Sequence, residues 1–128
     1  MARILIIDDD PDIRDFLEHT LNSAGHQTLS AIGGREGLTQ FLRNPSDLVI
    51  TDLFMPELDG LEIIAGLRTR FPELPIIAMT GHTPDLLSVA RKMGSNEILP
   101  KPFSSDELLA AVQKVLSKPR DRAEPRSS

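Results

Sequence analysis

Four short apolar runs in this 128-residue chain stop on side chains that can do chemistry. Arg3-Ile4-Leu5-Ile6-Ile7 is followed by Asp8-Asp9-Asp10, Leu48-Val49-Ile50-Thr51 by Asp52, Ile76-Ile77-Ala78-Met79 by Thr80, and Glu97-Ile98-Leu99-Pro100 by Lys101. If these runs are parallel strands, with neighbours about 4.8 Å apart, their carboxyl ends share one edge. Asp8, Asp9 and Asp52 would then crowd together. Crowded carboxylates repel and raise one another's pKa unless a cation neutralises them. Carboxylates, a main-chain carbonyl and waters suit Mg²⁺, and no His or Cys is placed to recruit zinc instead. Lys101 adds one fixed positive charge, Thr80 a hydroxyl donor, and Gly81 leaves room for a bulky group beside the backbone. Such a site is complementary to a phosphoryl group. The metal and Lys101 would neutralise its equatorial oxygens, Thr80 would hydrogen-bond one of them, and Asp52 would attack in line. Each residue has a commoner explanation: a turn acid, a helix-capping Thr, an exposed Lys. Their coincidence on four strand ends favours the joint reading.

The elements that must position these residues follow from local pattern. Runs as apolar as those before Asp8, Asp52 and Thr80 read as strands buried on both faces of a parallel sheet. Asp10 suits an N-cap, Pro11 the first helical position and Asp12 the positive end of the helix dipole. Ile13, Phe16, Leu17, Leu21 and Ala24 recur at helical spacing, and Gly25 stops the helix. His26 to Ala31 is shorter and more polar, an edge strand. Gly33 to Asn44 predicts a helix with Leu38, Phe41 and Leu42 on one face. After the strand Asp47 to Asp52, Pro56 and Gly60 prevent strand or helix from carrying on. Leu61 to Phe71 then reads as a helix with Leu61, Ile64, Ala65 and Phe71 inward. Thr83 caps a fourth helix that Gly94 ends, Pro100 confines its strand to a sheet edge, and Ser104 caps a last helix through Leu116. Five strand–helix repeats imply an α/β fold: a five-stranded parallel sheet with right-handed crossovers and helices on both faces. With the most apolar strands inside, the order is 2-1-3-4-5, a flavodoxin-like three-layer sandwich whose ligand edge lies at the strands' carboxyl ends.

Composition bounds the function classes. The chain is long enough for one domain with a buried core, and residues 118–128, rich in Pro, Ser and charge, have nothing to bury and are expected to form a disordered tail or truncated linker after a domain over 1–117. The net charge is −5. Four basic against two acidic residues after Leu116 leave the body more acidic still, an unpromising surface for direct nucleic-acid binding. There is no cysteine, which excludes a disulfide framework and a thiolate metal site. No apolar window is long enough for a membrane span, and the amino terminus is no signal peptide. A cytoplasmic location is expected.

Ile4-Leu5-Ile6-Ile7-Asp8-Asp9-Asp10-Pro11, Asp52-Leu53-Phe54-Met55-Pro56 with Asp59-Gly60, Met79-Thr80-Gly81 and Lys101-Pro102-Phe103 together resemble the receiver domain of two-component response regulators, from the first strand to the last helix. The resemblance implies that Asp52 is the phosphoacceptor and that Asp9, Asp52 and the Phe54 carbonyl hold Mg²⁺, with Asp8 acting through a metal-bound water. It implies that Thr80 is the switch hydroxyl, that Lys101 binds the phosphate, and that a cis bond precedes Pro102. The phosphoryl group would come from a histidine kinase or histidine phosphotransfer protein, by self-catalysed transfer followed by slow hydrolysis. One position departs from the family: where an aromatic ring usually stands three residues before the lysine, this chain has Ile98. Thr80 would then close on the acyl phosphate without an aromatic partner. In the family, side chains two residues past the phosphoacceptor and the switch Thr steer water; here these are Phe54, a partial shield, and His82, a polar contact or simply a loop residue. His19 and His26 read as ordinary surface residues.

Leu86, Leu87, Val89 and Met93 exceed one buried stripe. With Ile98 they suggest either a face for a downstream protein or output domain around the fourth helix and fifth strand, or a generously buried helix. Two other functions fit less well. A phosphohydrolase with an aspartyl nucleophile would place a second acid where Phe54 stands, and a flavin carrier would need a hydroxyl-rich phosphate loop and aromatic rings. A binding module that keeps the fold without phosphorylation is opposed by the intact acid and lysine set. No output activity is expected from this stretch, which reads either as a stand-alone receiver or as the front piece of a longer regulator.

Overall fold

The computed structural model describes residues 1–53, 60–81 and 84–117, with the backbone alone for 84–87. The elements alternate as expected: β1 (Arg3–Ile7), α1 (Pro11–Ser23), β2 (Gln27–Ala31), α2 (Gly34–Arg43), β3 (Leu48–Asp52), α3 (Gly60–Arg70), β4 (Ile76–Thr80), α4 (Pro84–Lys92), β5 (Glu97–Pro100) and α5 (Ser105–Ser117). All four strand pairings are parallel, and the sheet order is β2-β1-β3-β4-β5.

Every residue of β3 and β4 is buried, as are four of the five in β1. Side chains alternate across a strand, so each strand feeds two cores. Ile4 and Ile6 of β1 pack with Leu17 and Leu21 of α1 and Leu108 and Val112 of α5. Leu5 and Ile7 face the opposite layer, with Phe41 of α2, Ile63, Ile64 and Leu67 of α3 and Ala90 of α4. Continuous apolar runs are therefore required in the inner strands. The polar edge strand β2 needs no such run, and its Thr28, Leu29 and Ser30 are only half-buried.

The helix ends follow local chemistry. Asp10 is the N-cap of α1, its carboxylate accepting from the Asp12 N–H at 2.9 Å, with Pro11 opening the helix. Ser104 and Glu107 form a reciprocal capping box at α5, with Ser104 Oγ accepting from the Glu107 N–H at 3.1 Å and Glu107 Oε1 from the Ser104 N–H at 2.8 Å. Gly25 and Gly94 take the positive φ values, 96° and 120°, that suit helix stops. Pro100 sits in the edge strand.

Several sequence expectations are corrected. His26 lies outside β2 and is half-buried, its Nδ1 accepting from the Ala2 N–H at 3.0 Å. Burial first, then the positive amino terminus, lower its pKa and hold it in the neutral form that this bond requires. Leu42 points outward at 48% exposure, because the inward arc of α2 runs through Gly34, Gly37 and Phe41. In α3 the buried positions are Gly60, Ile63, Ile64 and Leu67; Leu61 and, just past the helix, Phe71 pack against that core as expected but are only half-buried, as is Ala65. Phe16 is 36% exposed and leans on Phe103 with ring centroids 6.0 Å apart. The Thr83 cap, the side chains of Leu86 and Leu87 and the tail after Ser117 lie outside the described residues.

Arg68 ties the far end of the sheet together. Its guanidinium donates to the carbonyls of Phe71 (3.1 Å) and Pro72 (2.7 Å) at the end of α3, to Gly94 (2.8 Å) after α4, and to Asn96 Oδ1 (2.9 Å) before β5. Asn96 Oδ1 also accepts from the Ile76 N–H at the start of β4. A Cβ at residue 94 would lie 2.9 Å from the Arg68 stem, so Gly94 serves packing as well as its positive φ. Charge-assisted hydrogen bonds contribute about 1.5–3 kcal/mol each and do not add. Arg68→Met is expected to cost about 2–3 kcal/mol, read as a lower urea midpoint at unchanged slope.

Candidate functional site

The register of the sheet builds the site. Ile7 of β1 pairs with Thr51 of β3, so the next residues, Asp8 and Asp52, stand side by side at the carboxyl edge. Asp52 pairs with Met79 of β4, and Thr80, one residue on, pairs with Pro100 of β5. Lys101 follows immediately, its N–H donating to the Thr80 carbonyl at 2.8 Å. Parallel pairing thus converts four separate strand ends into one pocket floor.

The side chains converge there. Asp8, Asp9 and Asp52 each offer a carboxylate oxygen, and the three atoms lie within 4.8 Å of one another. Asp8 is fully buried, Asp52 and Thr80 nearly so, and Asp9 is exposed. Lys101 reaches in from the rim: Nζ lies 2.9 Å from Asp8 Oδ2 and 3.4 Å from Asp52 Oδ1. Burial lowers the Lys101 pKa, but the hydrogen bond to Asp8 and the charges of Asp52 and Asp8 outweigh it, so the ammonium titrates above an ordinary lysine. It is a permanent cation at neutral pH. The Lys101–Pro102 peptide is cis.

An octahedral Mg²⁺ holds its oxygens at about 2.1 Å, which puts neighbouring ligands about 3 Å and opposite ones about 4 Å apart. Three carboxylate oxygens within 4.8 Å fit that span after a small inward movement. The donor set is all oxygen, as a hard cation requires. Asp10 does not join it, because its carboxylate caps α1.

The family model for the response regulator receiver domain matches residues 4–113. The chain belongs to this receiver-domain family. The DNA-binding transcriptional regulator NtrC of Klebsiella pneumoniae is 36% identical over 124 residues, covering 96% of this chain and 26% of that protein. Response regulator MprA of Mycobacterium leprae is 38% identical over 129 residues, covering 95% of this chain and 55% of that protein. The receiver therefore spans about a quarter of NtrC and about half of MprA. Chemotaxis protein CheY4 of Vibrio cholerae superposes with a TM-score of 0.84 at 33% identity, over 90% of this chain and 98% of that one. A receiver domain protein from Clostridium thermocellum gives 0.86 at 34%, over 91% and 94%.

Membership makes this a response-regulator domain, consistent with phosphorylation-switched signalling. Among the described residues no helix is long and apolar enough to cross a membrane. Phe54 and His82 lie outside the described residues. Ile98, at the position of the usual ring, is half-buried in β5. On α4 Ala90 is buried and Val89 is 39% exposed, and Met93, just beyond the helix, is half-buried.

Arg14 had no assigned role in the sequence, and Gly60 has one beyond that of a breaker. Arg14 donates to the Asp8 carbonyl at 2.8 Å; its signal was a lone cation one helical turn past an acid cluster. Gly60 was read as a breaker, yet it opens α3 and lies against the Asp52 backbone.

Proposed function

We propose that this receiver takes a phosphoryl group from the phosphohistidine of a histidine kinase or histidine phosphotransfer protein onto Asp52, with Mg²⁺ as cofactor. The observation that carries this reading is Lys101 bridging Asp8 and Asp52 across 93 residues of sequence inside a three-carboxylate cluster. A carboxylate nucleophile flanked by a fixed ammonium and a cation-binding set is what in-line phosphoryl transfer requires.

Asp8, Asp9 and Asp52, with the Phe54 carbonyl, would hold the ion, which when bound would neutralise phosphoryl oxygens. An Asp52 oxygen attacks phosphorus, the P–N bond of the donor breaks, and the departing imidazole takes a proton from solvent. Lys101 follows the charge onto the phosphoryl oxygens, and Thr80 supplies the hydroxyl that closes on the product. That closure repacks the loop after β4 without an aromatic partner at residue 98. The altered α4–β5 face then meets a downstream protein or an output domain, with no direct nucleic-acid contact by the receiver itself. Slow self-catalysed hydrolysis resets the switch. The domain spans residues 1–117, with 118–128 a tail or linker, and works in the cytoplasm.

Incubation with acetyl phosphate and Mg²⁺, followed by intact mass measurement, tests the assignment. Wild type is expected to gain one phosphoryl mass, Asp52→Asn none, and chelation of Mg²⁺ should suppress the gain. Equal labelling of Asp52→Asn would overturn Asp52 as the acceptor.

A further inference from the structure

We propose that Arg14 is a positioning residue for the cation site, closing a ring of hydrogen bonds that turns Asp9 towards Asp8 and Asp52. The proposal rests on the reading of these acids as a Mg²⁺ site and assigns what orients the one ligand that burial does not hold.

β1 gives its last ladder bond at Asp8, whose N–H donates to the Ala31 carbonyl at 3.1 Å. From there the turn into α1 closes on itself. Asp8 Oδ1 accepts from the Asp10 N–H at 2.9 Å, and Asp10 Oδ1 from the Asp12 N–H at 2.9 Å. The Asp10 carbonyl accepts from the Arg14 N–H at 3.1 Å. The half-buried Arg14 side chain then reaches back, Nη1 donating to the Asp8 carbonyl at 2.8 Å. These bonds form a circuit from residue 8 to residue 14 and back.

Asp9 is enclosed by the circuit, but its carboxylate takes none of those bonds and remains exposed while still offering an oxygen to the cluster. The carbonyl that Arg14 holds belongs to the Asp8–Asp9 peptide and the N–H that Asp8 Oδ1 holds to the Asp9–Asp10 peptide, so both planes flanking the Asp9 Cα are held, and with them the direction in which its Cα–Cβ bond leaves the backbone. Asp8 needs no such help, being locked by Lys101 and the Asp10 N–H. Asp9 has only the two peptide planes on either side of it, and Arg14 holds the first.

Charge alone predicts the opposite effect. A guanidinium beside three carboxylates repels an incoming dication, so its removal would tighten Mg²⁺ binding. If Arg14 positions Asp9, its removal loosens the site, and loss of a residue that orients a ligand weakens metal affinity by about tenfold or more. The sign of the change therefore separates the two roles.

The chain has no Trp or Tyr, so Mg²⁺ titrations would be followed by calorimetry or by backbone amide shifts, with wild type, Arg14→Met, Arg14→Lys and Asp9→Asn. Arg14→Met is expected to bind Mg²⁺ about tenfold more weakly while its amide spectrum outside residues 8–15 matches wild type. Arg14→Lys, which keeps a donor, is expected to recover most of the affinity. Unchanged or tighter binding by Arg14→Met overturns the positioning role. Asp9→Asn binding Mg²⁺ as well as wild type, or wild type failing to bind it, overturns the cation-site reading and this proposal together; weakening in Asp9→Asn but not in Arg14→Met overturns this proposal alone. Should Arg14→Met fold poorly, Arg14→Gln gives the same comparison.

Discussion

Lys101→Met is expected to slow phosphorylation of Asp52 by acetyl phosphate about 100-fold, the scale of removing a fixed charge or donor aimed at a transition state. The same substitution should destabilise the Mg²⁺-free protein. Lys101 Nζ is 2.9 Å from a fully buried carboxylate and 3.4 Å from a second one, 6% exposed. Removing one partner of a buried pair costs about 3–5 kcal/mol; with the lysine 20% exposed, screening reduces this to about 2–3 kcal/mol. Mg²⁺ should recover part of the loss, since ion and ammonium neutralise the same oxygens and any ligand of the folded state stabilises it by mass action. The pH dependence has a definite sign. Folding raises the lysine pKa, so its contribution is complete below the unfolded value near 10.5 and fades as pH climbs through the higher folded one. The gap between variant and wild type should stay constant through neutral pH and narrow in the alkaline range as Lys101 deprotonates. Urea titrations with and without Mg²⁺ measure both effects; an equal midpoint for the two proteins without Mg²⁺ would remove Lys101 as the counter-ion.

Gly60→Ala is expected to be more damaging than any other single-methyl addition near the site. A Cβ at this position would stand 2.1 Å from the Asp52 carbonyl oxygen and 2.7 Å from the Leu53 Cα. Both are backbone atoms that cannot rotate away, and Gly60 N–H also donates to the Leu53 carbonyl at 3.3 Å. Relief requires α3 to retreat from β3 or the end of β3 to shift, and the residue at that end is Asp52. Overpacking of this kind typically costs about 1–3 kcal/mol, and a clash with backbone atoms rather than with a flexible side chain places this site at about 3 kcal/mol or above. The expected readout is a large drop in the urea midpoint together with weaker Mg²⁺ binding. Gly66, a neighbour on the same helix with open space around its Cα, is the control: Gly66→Ala should be neutral or mildly stabilising. Equal behaviour of the two variants would remove the steric argument.

The alternation of five strands and helices, the sheet order and the capping of α1 and α5 were legible in the chain because each depends on a pattern a few residues long. Apolar runs such as Leu48-Val49-Ile50 can only be covered on both faces, and Asp10-Pro11 or Ser104 with Glu107 satisfies helix N–H groups locally. The site residues were legible for a related reason. Parallel register places every strand's carboxyl end on one edge, so locating Asp8, Asp52, Thr80 and Lys101 at strand ends was enough to bring them together. The sheet order is also the family's own, so it adds little weight beyond the motifs.

What the sequence left open depended on distance and direction across the fold. Leu42 and Ile63 have similar apolarity, but which arc of each helix faces the sheet exposes one and buries the other. Gly60 as a breaker and Gly60 as a point of backbone contact are the same letter, separated only by where α3 docks on β3. Arg68 and Arg14 look like surface charges until carbonyls from other turns arrive around them. The strand ends and their chemistry were thus set by local pattern, because a buried parallel strand must be apolar and must stop where polar groups begin. Which oxygen meets which cation was decided by tertiary structure, because Lys101 and the carboxylates of Asp8 and Asp52 are brought together only by the register between strands far apart in the chain.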